Sequence, residues 1–236
     1  MKKPTIRKQK RPRSNVRARL IIFGTLAVLL ILFSIFSEYL TPYDPYLQDL
    51  SIAKSPPSAE HLLGTDRYGR DMLSRVMVGS RTSIFSTLLL VAVITTLGTA
   101  VGVFCGWRGG WLDTVLMRIS DMFLAFPGLV FALAVAGVLG GGLQNAIIAL
   151  AAISWPKYAR IARSQTLAQK ETVWMRAAKL SGSSPGKLIF KHILPNILGP
   201  ILVTSMLDIG TMMMELAALS FLGLGAKPPT AEWGSM

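Results

Sequence analysis

Long uncharged stretches alternate with short charged ones along this chain. Eighteen uncharged residues separate Arg19 from Glu38, 26 separate Arg81 from Arg108, and 35 separate Asp121 from Lys157. An ionised side chain at the centre of a bilayer costs roughly 2.5–3.5 kcal/mol, so gaps of this length mark segments whose solvent is lipid. A helix crosses the hydrocarbon with about 20 residues, and the 35-residue gap is too long for one crossing. Gly140, Gly141 and Gly142 divide it, because consecutive glycines weaken a helix and admit a tight reversal. The pattern predicts five spans, near 20–38, 83–105, 116–139, 143–161 and 195–219, and with them an all-α, polytopic membrane fold. Between the first two spans, Pro42, Pro45, Pro56 and Pro57 impose turns and extended chain. From Asp71 onward Met72, Leu73, Val76 and Met77 recur at helical spacing, which predicts a separate amphipathic helix lying in the interface.

Composition agrees with a lipid-embedded chain. Of the 236 residues, 51% are hydrophobic and 16% charged, against about 25% charged in a soluble domain. The net charge of +13 would suit a nucleic-acid binder, but residues 1–19 hold nine basic residues without interleaved aromatics or a folded module, so no nucleic-acid partner is expected. The charge reads instead as topology and as attraction to anionic lipid. Residues 1–19 and 157–191 together hold 17 of the 25 basic residues, and the count of spans places both on one side. By the positive-inside principle that side is the cytoplasm. The loop over 38–81, with five basic and six acidic residues, then falls outside, as does the chain after Leu222. The single cysteine, Cys105, excludes an internal disulfide and a cysteine-cluster metal site. His61, alone in its loop, reads as a hydrogen-bonding residue, because one imidazole without converging partners makes a poor metal site.

The segment after the fourth predicted span carries the most information. Over Glu171 to Pro185, Val173, Ala177 and Leu180 fall on one helical stripe, and Ala178 and Gly182 lie four apart beside it. A short basic helix with a face of small residues suits docking in a groove on another protein. Gly182 to Lys187 imitates a phosphate-binding loop but has three residues between its glycines where four are needed, and Leu188 stands where Ser or Thr would hold magnesium. The chain also lacks a zinc-binding HExxH pair and a GxSxG nucleophile turn, so no catalysis and no cofactor of its own is expected. In the fifth predicted span Asp208 and Glu215 are seven apart, hence on one face, and intramembrane carboxylates are candidates for a translocation pathway favouring a cationic cargo. Met212, Met213 and Met214 point in successive directions and read as packing and lipid-facing residues.

These residues resemble a family. Arg176-Ala177-Ala178 through Gly182 to His192-Ile193-Leu194-Pro195-Asn196 is similar to the coupling loop of bacterial ATP-binding-cassette importer permeases. Leu63-Gly64-Thr65-Asp66 with Gly69-Arg70-Asp71, Phe126-Pro127, and Leu219-Ser220-Phe221-Leu222-Gly223-Leu224-Gly225 resemble the dipeptide, oligopeptide and nickel branch. Leu207-Asp208-Ile209-Gly210 and Thr230-Ala231-Glu232-Trp233-Gly234 are most similar to its nickel-import C-type subunit. The resemblance implies a type I importer transmembrane domain with six spans. Five are present in this chain, and the sixth would lie beyond Met236. It further implies a basic tail over 1–19, a first helix with external loop and interfacial helix over 20–82, and a permease core over 83–236, incomplete at its end, whose coupling loop covers about 162–194.

The function implied is ATP-driven import of nickel, a nickel chelate, or di- and oligopeptides across the bacterial cytoplasmic membrane by alternating access. The implied partners are a second homologous permease, two cytosolic ATPases that bind ATP and magnesium, an external solute-binding protein, and membrane lipid. Ala177, Ala178 and Gly182 are the expected coupling face, with Glu171 and Arg176 as rim charges. The family's glutamate before the paired alanines is replaced here by Arg176, so that carboxylate contact does not carry over. The alternatives left open are a membrane-anchored assembly protein that moves no solute, a passive channel, and an inactive truncated permease.

Overall fold

The computed structural model describes residues 16–236, which form helices joined by short turns except for a long loop over 41–71, with no strand among the described residues. The basic tail lies outside them up to residue 15, while Arg17 and Arg19 belong to helix α1, Val16–Leu40. Helix α1 packs on the next helix, and Ser34 and Ser37 are its buried residues; apart from the partly buried Ile31, its leucines, isoleucines and phenylalanines stay exposed. An Arg81–Glu38 ion pair of 2.8 Å ties the two helices together where α1 ends.

Helix α2, Met72–Arg108, corrects the sequence reading. The interfacial helix expected from Asp71 and the span expected over 83–105 are one continuous element of 37 residues. The Asp71 carboxylate starts it by accepting the Ser74 N–H at 2.7 Å, and no proline interrupts the ladder after it. At 1.5 Å per residue it is about 55 Å long, well beyond the roughly 30 Å of hydrocarbon. Arg75 and Arg81 lie in its first turns and residues 82–107 are uncharged, so the extra length is at its start.

The span expected over 116–139 is also different. It is a bent pair, α3 at Gly110–Leu124 and α4 at Gly128–Val138, whose axes meet at 92°. Pro127 supplies no N–H and holds Phe126 away from helical geometry, so the helix cannot continue through it. Helix α4 ends as expected at the glycine run. The Gly140 N–H donates to Gly137 O and the Gly141 N–H to Ala136 O, the paired bonds of a glycine-terminated helix.

Helix α5, Leu143–Lys170, packs against α2, α3, α4 and the helices after it. Three stretches are long and apolar enough to cross a membrane, namely α1, α2 and Pro185–Phe221, with a fourth if the bent pair acts as one span. The predicted span over 143–161 is not among them. Gln144, Asn145, Lys157 and Arg160 dilute the hydropathy of α5, whose apolar residues Ala146, Ala149, Leu150, Ile153 and Ala162 are buried inside the bundle.

After α5 come α6 (Val173–Leu180), one turn of α7 (Pro185–Lys187), a π-helical stretch over Leu188–Ile193, and α8 (Leu194–Phe221). The bundle is held together by a glycine ladder. Gly98, Gly102 and Gly106 of α2 face α5 so closely that a Cβ on Gly98 would sit 2.5 Å from Trp155 O, and one on Gly106 would sit 2.8 Å from Thr166 Cβ. Small residues at four-residue spacing let two membrane helices bring their backbones together, where dispersion rather than water exclusion supplies the attraction. The ladder seats the backbone of α5 directly against that of α2.

Candidate functional site

The bundle brings together two groups of residues with functional character. The first is a polar seam between α5 and α8. Asp208 is buried on α8, and the Lys157 ammonium of α5 donates to both its oxygens, at 2.7 Å and 2.9 Å. The Tyr158 hydroxyl donates to Asp208 Oδ2 at 2.8 Å. Every close donor to this carboxylate thus comes from one turn of α5. The i, i+3, i+7 spacing of α8 carries the same face on through Thr211 to Glu215, about 10 Å further along the axis at 1.5 Å per residue. Ser154 joins Lys157 on the α5 side. These side chains open on a cleft of about 220 Å³, walled by Phe123, Phe126 and Gly128 at the break between α3 and α4.

The two carboxylates expected to act together therefore differ. Asp208 is already saturated by Lys157 and Tyr158, while Glu215 forms no hydrogen bond or ion pair among the described residues and lies half-buried at the cleft. Lys157 keeps about half its side chain exposed. Sequence reasoning named the acids but missed Lys157 and Tyr158. A lysine and tyrosine just after Trp155-Pro156 in an otherwise apolar segment was the signal, because an intramembrane cation requires a partner. Beyond Lys157 along α5, Arg163 holds Asp113 of α3 with two bonds of 2.5 Å and 2.6 Å, and Arg160 pairs with Asp121 of the same helix.

The second group is α6. Met175 is fully buried in the core, and Ala178 is half-buried against it. The exposed face consists of Val173, Ala177 and Leu180, with Val173 83% and Leu180 90% exposed. The stripe read from the sequence thus points outward, whereas Ala178 beside it turns partly inward. Gly182 ends the helix at φ +76, its N–H donating to Lys179 O while the Ser183 N–H donates to Ala178 O. Glu171 and Arg176 form an exposed pair at 3.1 Å on the rim. The Trp174 ring lies 5.7 Å from that of His192, connecting α6 to the π-helical stretch that leads into α8.

At the opposite end of the bundle the first loop is ordered by carboxylates. The Asp66 carboxylate accepts N–H bonds from Tyr68 (2.8 Å) and Arg70 (3.0 Å) and pairs with the Arg70 guanidinium at 2.6 Å. Burial raises its pKa, but the Arg70 bonds outweigh burial and leave it below the ordinary value. Asp71 behaves likewise: burial is outweighed by bonds from Ser74 and His61. His61 Nδ1 lies 2.9 Å from Asp71 Oδ1, a hydrogen-bonding role as read from the sequence. A wider hollow of about 520 Å³ opens here beside Arg67, Arg70, Arg75 and Lys227.

Residues 98–236 match the family described as binding-protein-dependent transport system inner membrane component. The chain is 44% identical to the probable D,D-dipeptide transport system permease protein DdpC of Escherichia coli, over 90% of this chain and 72% of that protein. It is 41% identical to the dipeptide transport system permease protein DppC of Alkalihalophilus pseudofirmus, over 92% and 72%. It is also 41% identical to the nickel transport system permease protein NikC of Escherichia coli, over 95% and 79%. The chain belongs to the binding-protein-dependent transport system inner membrane component family, the permease subunits of ATP-binding-cassette importers, and is a multi-pass protein of the cytoplasmic membrane.

Proposed function

We propose that this chain forms one half of a solute pathway whose cargo is a short peptide and whose energy comes from ATPase subunits docked on α6. The observation that carries the reading is the seam itself. Lys157, Asp208, Thr211, Ser154 and Glu215 form a polar line through a lipid-embedded bundle and open on one cleft. Groups of this kind persist in a membrane where they face water or cargo. Lys157, paired with Asp208 but about half exposed, at one end and Glu215 at the other suit a solute bearing both a carboxylate and an ammonium group. The dipeptide permeases DdpC and DppC, each above 40% identity, support the same cargo class.

A second reading, nickel or a nickel chelate, is favoured by the 41% identity to NikC over 95% of this chain and by Leu207–Gly210, which include Asp208. In either case α6 lies at the cytoplasmic surface and the first loop outside. A second homologous permease completes the pathway, two ATPases holding ATP and magnesium drive it, and an external solute-binding protein delivers cargo. The chain itself catalyses nothing. In proteoliposomes containing the assembled importer, Glu215→Gln is expected to lower ATP-driven uptake of a labelled dipeptide about tenfold, the equivalent of one lost charge-assisted contact. Unchanged dipeptide uptake, together with nickel uptake by the unaltered assembly, would transfer the reading to the metal.

A further inference from the structure

At the α6 end, two lysines from different elements converge on one ring. The Lys170 ammonium, at the end of α5, donates to the carbonyl oxygens of Gly106 (3.0 Å) and Trp107 (2.8 Å), and lies 5.7 Å from the centre of the Trp107 ring. Lys179 of α6 reaches the same ring at 5.6 Å. Cations are favoured both beside the last carbonyls of a helix and over an aromatic ring at this range. Trp107 is thus a point at which α6 grips α2 through side chains, although the two helices are far apart in sequence.

Just past Trp107 the chain turns from α2 into α3 on two glycines. Gly109 and Gly110 adopt φ +64 and +73, and a Cβ on either would meet nothing within 4 Å. The α2–α3 junction is therefore a positive-φ backbone joint with open space around both glycines, and Arg163 ties α3 to α5 one turn beyond it through Asp113. Beyond it α3 runs to the break whose Phe123 and Phe126 wall the cleft. The bent pair ends in a second run of left-handed glycines, Gly140 to Gly142. A cleft wall with glycine turns at both ends thus lies against the closely packed α2–α5 pair, and Trp107 sits beside the turn nearer α6.

We propose that Trp107 is a positioning residue for transport. Displacement of α6 passes through Lys179 to the Trp107 ring, and from there across Gly109–Gly110 to the α3–α4 wall of the cleft. The inference rests on the importer reading above and names how the end bearing α6 reaches the seam. Its test is the ratio of ATP hydrolysed to cargo taken up, measured in proteoliposomes with the assembled importer, its solute-binding protein and labelled dipeptide or nickel. Trp107→Ala and Lys179→Gln are expected to raise that ratio about fivefold or more, the low end of coupling between distant sites. Trp107→Phe, which keeps a ring, restores it to near the unaltered value. Lys179 is exposed, so its variant reads the contact even where Trp107→Ala fails to fold. An unchanged ratio in Lys179→Gln, whether hydrolysis and uptake stay constant or fall in parallel, would overturn the proposal. The same holds for a raised ratio in Trp107→Ala that Trp107→Phe does not restore. Unaltered protein that takes up neither cargo sinks the importer reading first, and this proposal with it.

Discussion

Asp208 shows how a single residue changes meaning when its neighbours are known. Read alone, a carboxylate inside a membrane is a cargo ligand in waiting. With Lys157 and Tyr158 donating to it, it becomes a device that holds a lysine upright at the cleft, and Glu215 is left as the free acid. Burying a charge pair is justified only where both partners are well bonded, and three bonds under 3 Å meet that condition. Asp66 and Asp71 serve a structural purpose outside the lipid. Both are held below the ordinary aspartate pKa of 3.8, so their contribution to loop stability is complete at neutral pH. It declines only as pH falls below 3.8 toward the lowered values. Amide exchange should show the Tyr68, Arg70 and Ser74 N–H groups, which these carboxylates accept, protected from neutral pH down to about 5 and released under about pH 4. Loss of protection between pH 6 and 7 would mean that some other group orders the loop.

At the scale of elements, the α2–α5 contact decides the bundle. A stretch as polar as α5 gains little from lipid, and it is retained because Gly98, Gly102 and Gly106 let its backbone approach α2. Gly102→Val would force a branched side chain into Ala159 and Ala162, and overpacking of this kind costs about 1–3 kcal/mol or more. The expected result is a lower unfolding temperature in detergent and a reduced yield of folded protein. Gly24→Ala, in the exposed α1 where a Cβ meets nothing, should be neutral or slightly stabilising, by up to about 1 kcal/mol from helix propensity. Equal effects at both sites would remove the ladder from the account. The bend between α3 and α4 is the other decisive element. It brings two phenylalanines to the cleft, in a wall with glycine turns at both ends.

For the whole molecule, function depends on which end faces the cytoplasm. The outward face of α6 presents Val173 and Leu180 beside exposed Arg176 and Lys179, so its side of the membrane can be tested by labelling. Leu180→Cys, in a chain whose other cysteine, Cys105, is buried, should react with a membrane-impermeant thiol reagent in inverted vesicles and stay unlabelled in intact cells. The reverse result would place α6 outside and dismantle both proposals. The burial of Met175 in the core and the reach of Lys179 to the Trp107 ring are the two attachments through which force on α6 would enter the bundle.

Much of this molecule was written in local chemistry. The apolar stretches located α1, α2 and the helix ending at Phe221, Gly140–Gly142 marked a reversal, and Glu171 to Gly182 announced a short helix whose Val173, Ala177 and Leu180 share one face, while the span expected over 143–161 is not apolar enough to be counted among them. These depend on the solvent preference of single residues and on backbone freedom at glycine, which need no knowledge of neighbours. Tertiary structure alone decided continuity and pairing. It joined the interfacial helix to the second span, folded the third over Phe126–Pro127, turned Ala178 inward, and gave Asp208 its lysine from 51 positions away. Hydrophobicity says only that a segment leaves water, whereas its partner and its shape are set by close contacts between segments distant in sequence, where dispersion and ion pairing decide.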